Sequence, residues 1–339
     1  HTRLRTVTGV QTCALPIPQL PPYEIVANVS EGRDQAILAA FTAVVAGAPG
    51  VRLLDLHRDV DHDRSVYTYV GDGGALALAT RALARLAVAT IDLASPRKSG
   101  ADRGVHPRIG AIDVVPVVPL GPEGSERGAV VIARSLARDL AADLALPVHL
   151  YGAAARSAAR ASLYEIRRGG FEALRERQAT SDGAPDEGPP LPHPTAGAVA
   201  VGVRPLMAAW NIRLLGAAAP RLLDAARALA HELRGASAGG VPGLQALGFP
   251  LPSIDGAQLS MNLHDVLGAA ERGVTLHSVR QRAERAAERL GVRLGETEIV
   301  GLVPESSLRA GGDPRQLEIR GGWERVTLES ALGKRGGER

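Results

Sequence analysis

The chain has 339 residues, 45% of them hydrophobic and 22% charged, with 39 Lys and Arg against 36 Asp and Glu. This is ordinary globular composition long enough for two domains, so whole-chain disorder is excluded. A net charge of +3, 3% aromatics and one cysteine leave no stacking surface for single-stranded nucleic acid, no internal disulfide and no thiolate zinc site. Apolar runs stay well short of the ~20 residues of a membrane span.

Residues 1–22 are set apart from the fold. The run Val7 to Ile17, VTGVQTCALPI, looks like the translation of a sequencing-adapter oligonucleotide, so the stretch is expected to be non-native or a disordered arm. It carries the only cysteine, Cys13. The chain then reads as a strand over 23–28, a helix over 34–46 closed by Gly47 and Pro49, and strands over 51–56 and 66–70. A helix over 75–91 follows, then a polar loop over 95–104, a strand over 111–118, a helix over 125–145 and a strand over 148–151. The order strand–helix–strand–strand–helix–strand fits a split βαβ, ferredoxin-like unit. A Pro- and Gly-rich stretch, 181–194, is too stiff for a helix or central strand and is expected to separate two halves. Strands over 196–203 and 207–214, a helix over 220–234, strands near 244–249 and 257–263, a helix over 276–290 and a strand over 298–303 repeat the same grammar. The fold class expected is α+β, an α/β sandwich of two ferredoxin-like subdomains with a substrate cleft between them. The subdomains are expected at 23–203 and 204–330, followed by a disordered tail at 331–339.

The densest cluster of titratable groups runs from His57 to Arg64 on a loop between two strands, where functional groups often sit. Asp59, Asp61 and Asp63 alternate like calcium ligands, but Arg64 and Val70 stand where that motif needs Gly and Glu. Asp61, His62 and Asp63 would still suit a two-metal hydrolase. A solvated acidic turn and a mixed acid/base and Arg site for an anionic substrate are the other readings. In His106-Pro107-Arg108, proline biases His106 toward extended geometry just before a strand. A neutral imidazole there is suited to proton transfer near pH 7, and Arg108 to holding a carboxylate. Gly71-Asp72-Gly73-Gly74 begins like a dinucleotide fingerprint, but Leu76 occupies its last position. The ten residues from Gly188 to Gly197 include four prolines. They read as a rigid spacer or as an extended wall for a flat heteroaromatic ligand.

Together these motifs resemble a known family. Asn28-Val29-Ser30-Glu31-Gly32, Asp63-Arg64-Ser65-Val66-Tyr67-Thr68 and His106-Pro107-Arg108-Ile109-Gly110-Ala111 are similar to those of glutamate formiminotransferase, in its stand-alone bacterial form. So are Gly188-Pro189, the strand from Trp210 to Gly216, Ser260-Met261-Asn262-Leu263 and Gly301-Leu302-Val303-Pro304. The resemblance spans roughly residues 23 to 326. It implies transfer of a formimino group from N-formimino-L-glutamate to N5 of tetrahydrofolate in histidine degradation. It implies a cytoplasmic homodimer, with tetrahydrofolate as co-substrate and neither a metal, a nucleic acid nor a membrane as partner. It assigns the catalytic histidine to His106, and the folate-contacting stretch to Gly188, Pro189, Pro190, Leu191, Pro192, His193, Pro194, Thr195, Ala196 and Gly197. Asp63 or Asp61 is expected to orient the imidazole, and Arg64 and Arg108 to hold substrate carboxylates. Val105 stands where the family has Glu, Asp63 where it often has Asn, and the loop before His106 is longer. Beside this reading stand a folate-binding paralogue with another donor or no transfer, and a metal-dependent hydrolase using Asp59, Asp61, His62 and His106.

Overall fold

The computed structural model describes residues 21–98, 104–235 and 237–333. The first unit begins β1 (Tyr23–Val29), α1 (Gln35–Ala46), β2 (Val51–Asp59), β3 (Arg64–Gly71), α2 (Gly73–Thr90) and β4 (Ile112–Pro119). These strands lie in the order β2-β3-β1-β4 with every neighbouring pair antiparallel, the split βαβ arrangement the element order predicts. Local chemistry starts the helices. The side chain of Asp34 accepts from Ala36 N and Ile37 N to open α1, and that of Asp72 from Ala75 N to open α2. The Gly71-Asp72-Gly73-Gly74 turn is therefore a helix cap.

The first unit then extends. α3 (Glu126–Leu144), β5 (Val148–Gly152), α4 (Leu163–Arg167), α5 (Leu174–Gln178) and β6 (Val199–Val203) follow. β6 inserts parallel between β4 and β5, giving a six-stranded sheet. The Pro-rich run 181–194 therefore does not separate the halves. β6 comes after it and belongs to the first sheet, and the chain crosses between β6 and the next strand.

The second unit is β7 (Ala208–Leu215), α6 (Ala219–Leu233), β8 (Leu244–Leu251), β9 (Gly256–Leu263), α7 (Val266–Glu271), α8 (Leu276–Arg289) and β10 (Arg293–Ile299). Its sheet order, β10-β7-β9-β8, is antiparallel throughout and repeats that of the first unit. Period-two burial along β7 sends Trp210, Ile212 and Leu214 into the second core while Arg213 is exposed. The last strand lies earlier than its hydropathy suggests. The polar half of β10 alternates exposed Arg293 and Glu296 with buried residues, as an edge strand does, whereas Val303 leaves the sheet to bridge Thr327. After α9 (Glu305–Arg309) the chain returns to the first unit through α10 (Leu328–Gly333), where Ala331 O accepts from Arg52. The expected tail at 331–339 therefore starts inside a packed helix. Pro22, expected outside the fold, accepts from Leu120 N. Residues 1–20 and 334–339 lie outside the described residues. Leu54, Val70 and Val118 of the first unit pack with Leu302 and Leu328 from beyond the second sheet, joining the two units.

Candidate active site

Between the two sheets lies a cleft of about 760 Å³. Its first wall is the face of the six-stranded sheet opposite the main core, where Glu24, Val26 and Asn28 of β1 point outward while Ile25 and Ala27 fill that core, and where α4 closes one side. Its second wall is β7 and β9, with Asn211, Ser260 and Asn262 turned to the cleft.

His106 lies at this cleft on the segment between α2 and β4. Arg64, the first residue of β3, directs Nη1 at its Nε2, 2.9 Å away, and gives its other amino group to Asn28 Oδ1. Arg167, the last residue of α4, directs Nη2 at Nδ1 (3.1 Å) and pairs with Asp113 (2.7 Å). Nδ1 also lies 2.9 Å from Pro107 O. A tautomer that donates from Nδ1 to this carbonyl leaves Nε2 as the acceptor facing Arg64. The rings of His62 and Phe249 complete the surround, with centroids 5.4 Å and 5.6 Å from that of His106. Burial, then Arg64, Arg167 and His62, hold the His106 pKa well below the ordinary imidazole value. The ring is thus neutral at physiological pH and is a base without its proton. Burial and the neighbouring Arg167 bring Arg64 down to about 10, still cationic near neutrality.

The carboxylates expected beside His106 are engaged elsewhere. Asp63, at a left-handed φ of 48°, accepts from Gly32 N (3.0 Å) and pairs with Lys98 at 2.7 Å. Lys98 also pairs with Glu31, which accepts from Arg33 N and Asp34 N and so closes the turn after β1. Asp61 reaches the second unit, accepting from the backbone N and Oγ of Ser253 at 2.9 Å and 2.6 Å. Asp59 accepts from Asp61 N and His62 N. The three aspartates diverge, which removes the calcium-like and two-metal geometries. Among the described residues no group of three or more His, Cys, Asp and Glu could hold a metal ion. Arg108 is buried and donates to Lys98 O instead of lining the cleft.

None of the ten residues from Gly188 to Gly197 lines the cleft. Pro192, His193 and Pro194 border a separate pocket of about 260 Å³ beside Phe171 and Arg175. The run supports the His106 segment from behind: Ala111 N donates to Ala196 O, Ala198 N to Ile109 O, and Gly110 bridges Gly197. A side chain at Gly110 would meet Ala198 O at 1.9 Å, so only glycine permits this approach.

Sequence reasoning missed Arg167, Asp113, Phe249 and Gln258 and named Asn28 only within a motif. Ser162 and Glu165 form the S-x-x-E signature that starts α4, and Ser162 does cap Glu165 N. That signal was available for the element carrying Arg167. Gln258 bonds His62 from β9 at 3.1 Å, a contact without local signature.

Comparison with known proteins agrees with this architecture. Residues 23–204 match the formiminotransferase domain, N-terminal subdomain, and residues 209–313 match the formiminotransferase domain. The chain is 34% identical over 285 residues to the glutamate formimidoyltransferase of Streptococcus pyogenes serotype M1, covering 84% of this chain and 90% of that one. Its identity to the Thermoplasma acidophilum glutamate formimidoyltransferase is 34% over 287 residues, covering 84% and 89%. It is 36% identical to the formimidoyltransferase-cyclodeaminase of Sus scrofa over 292 residues, covering 84% of this chain but only 50% of that longer protein. Two matched subdomains, in order and over most of the chain, establish that it belongs to the formiminotransferase family.

Proposed function

We propose that this chain transfers the formimino group of N-formimino-L-glutamate to N5 of tetrahydrofolate, with His106 moving the proton. The observation that carries this is the geometry at the cleft, where the imidazole of His106 is held between Arg64 and Arg167.

In this reading the donor's carboxylates draw the guanidiniums of Arg64 and Arg167, which frees Nε2 of His106. N5 attacks the amidine carbon and forms a C–N bond. His106 takes the N5 proton from the tetrahedral intermediate and delivers it to the glutamate nitrogen. The bond to that nitrogen then breaks, releasing glutamate as an amine and leaving the formimino group on N5. Holding both reactants between the sheets supplies the orientation, and the arginines hold negative charge where water is scarce. The Gly188–Gly197 run contributes by fixing the segment that carries His106. The same family reading carries a cytoplasmic location and a homodimer, the second of which light scattering on the purified protein checks.

The test is to mix the protein with tetrahydrofolate and formiminoglutamate and follow 5-formimino-tetrahydrofolate by absorbance and mass spectrometry. Product establishes donor and acceptor together. Val105, which puts an apolar side chain one residue before His106 where the family has Glu, favours a second reading: a folate-binding protein with another donor. Tetrahydrofolate binding without product from formiminoglutamate selects that reading.

A further inference from the structure

We propose that Glu24 is the anchor for the aminopyrimidinone edge of the pterin ring, its carboxylate accepting from N3–H and the 2-amino group. The proposal rests on the folate reading above.

Glu24 lies on β1 on the cleft face, is 2% exposed, and lines the cleft. Its Oε1 is buried with no hydrogen-bond partner among the described residues. Its cross-strand neighbours are Val70 and Val118, members of the apolar cluster that includes Leu302, with Leu206 packed against it. Arg204 acts on Glu24 electrostatically, but its guanidinium donates to Pro205 O, and no ion pair joins the two side chains. A carboxylate left like this costs stability unless a ligand supplies donors. The site therefore calls for a flat group with an apolar face and two coplanar N–H donors at its end, the pattern that a carboxylate accepts in bidentate fashion.

Both substrates carry two coplanar N–H donors, but only the pterin sets them at the end of a flat ring with apolar faces. Formiminoglutamate brings two carboxylates, which Glu24 repels and the arginines beside His106 attract. Its amidine must lie at His106 to react. Glu24 and Asn28 share one strand face four residues apart, ~13 Å along the strand. Asn28 holds Arg64, and Arg64 holds His106. That separation suits a bicyclic ring with a hydrogen bond at each end. Anchoring the pyrimidine edge at Glu24 turns the far ring, which carries N5, toward His106. The apolar side chains of Val26, Pro116, Leu206 and Leu302 on the cleft lining then lie along the ring faces.

The experiment is anaerobic calorimetry with tetrahydrofolate and with its 2-desamino-2-methyl analogue, on wild type, Glu24→Gln and Glu24→Asp, with folding checked by circular dichroism. The wild type is expected to bind tetrahydrofolate at least about tenfold tighter than the analogue. Glu24→Gln is expected to lose about tenfold or more for tetrahydrofolate and little for the analogue, so that the two losses do not add. Glu24→Asp, charged but shorter, is expected to fall between; it decides the matter if the Gln variant fails to fold. Glu24→Gln that keeps both affinity and discrimination overturns the anchor, as does equal loss for both ligands, which marks a structural role. If the wild type binds tetrahydrofolate without preferring it to the analogue, the anchor falls and the folate reading stands. If the wild type binds neither, both fall.

Discussion

The four-stranded sheet repeats the order of four strands of the six-stranded one, yet the two contribute opposite chemistry to the cleft. The six-stranded sheet and its connections bring the ionisable groups: Glu24, Asp59, His62, Arg64, His106 and Arg167. The four-stranded sheet brings mainly neutral amides and hydroxyls, among them Asn211, Ser260 and Asn262. The difference follows the elaboration of the first unit. Inserting β6 beside β4 requires the long β5–β6 connection, and that connection carries α4 and Arg167. The second unit, without such an insertion, keeps a plain polar face. Duplicated topology therefore does not mean duplicated chemistry: one half supplies most of the ionisable groups of the cleft while the other shapes the opposite wall.

Substitutions on the two sides should differ in size accordingly. Removing the proposed base is expected to have the largest effect. His106→Ala is expected to lower kcat about 10²- to 10⁴-fold with folding intact, and turnover at the wild-type rate in a stopped assay would end the assignment. Next is Asp63→Ala, which leaves Lys98 with Glu31 alone and Gly32 N without its acceptor. A loss of about 3 kcal/mol is expected in denaturant unfolding. Asp63→Asn tolerates the left-handed backbone and keeps an acceptor for Gly32, so it should lose about half as much.

Glu24 offers a stability test of similar size. Burial, only partly offset by Arg204, pushes its carboxyl from 4.5 up to about 7 in the folded chain. Between those values the folded state holds more protons than the unfolded one, so stability falls as pH rises through the window. Full ionisation costs roughly 3 kcal/mol. Without folate, Glu24→Gln should gain stability over wild type as pH rises from 4.5 to 7. Parallel melting curves across that range would contradict it. Arg167→Met acts more modestly. Removing one cation beside His106 lets the imidazole protonate at higher pH, and the base works only when neutral. The acid limb of kcat/KM should move to higher pH. A limb that stays in place would mean Arg167 does not act on the ring. The smallest effect belongs to the second sheet. Gln258→Ala removes one bond to His62 and should cost about 1 kcal/mol in stability and less than tenfold in kcat.

Much of the architecture was legible before the structure. Alternation in Trp210-Asn211-Ile212-Arg213-Leu214 marks β7, and the spacing of Leu222, Ala225, Ala226, Leu229 and Leu233 marks the buried stripe of α6. Such elements arise from local periodicity. Short pieces carry no periodic signal: α4 and α5 have five residues each, and only the Ser162–Glu165 cap marks α4. The site divided in the same way. His106 stood out because His106-Pro107-Arg108 resembles a motif of the family, with Pro107 restraining it locally. Its contacts did not, because Arg64 and Arg167 are 42 and 61 residues away in sequence. The aspartates misled because alternation along a loop says nothing about direction. Asp59 caps its own turn, Asp61 crosses to Ser253 and Asp63 turns back to Gly32.

The sequence by itself determined the order of the long strands and helices and the family, and it pointed to His106. All three reside in local patterns and short motifs. Only the tertiary structure decided that burial, with Arg64 and Arg167 beside the ring, holds the His106 pKa down, that the Gly188–Gly197 run braces the His106 segment from behind, and that Glu24 faces the cleft with its Oε1 unpartnered among the described residues. Each depends on which distant side chains come within hydrogen-bonding reach and which are withheld from water, and no stretch of sequence encodes that locally.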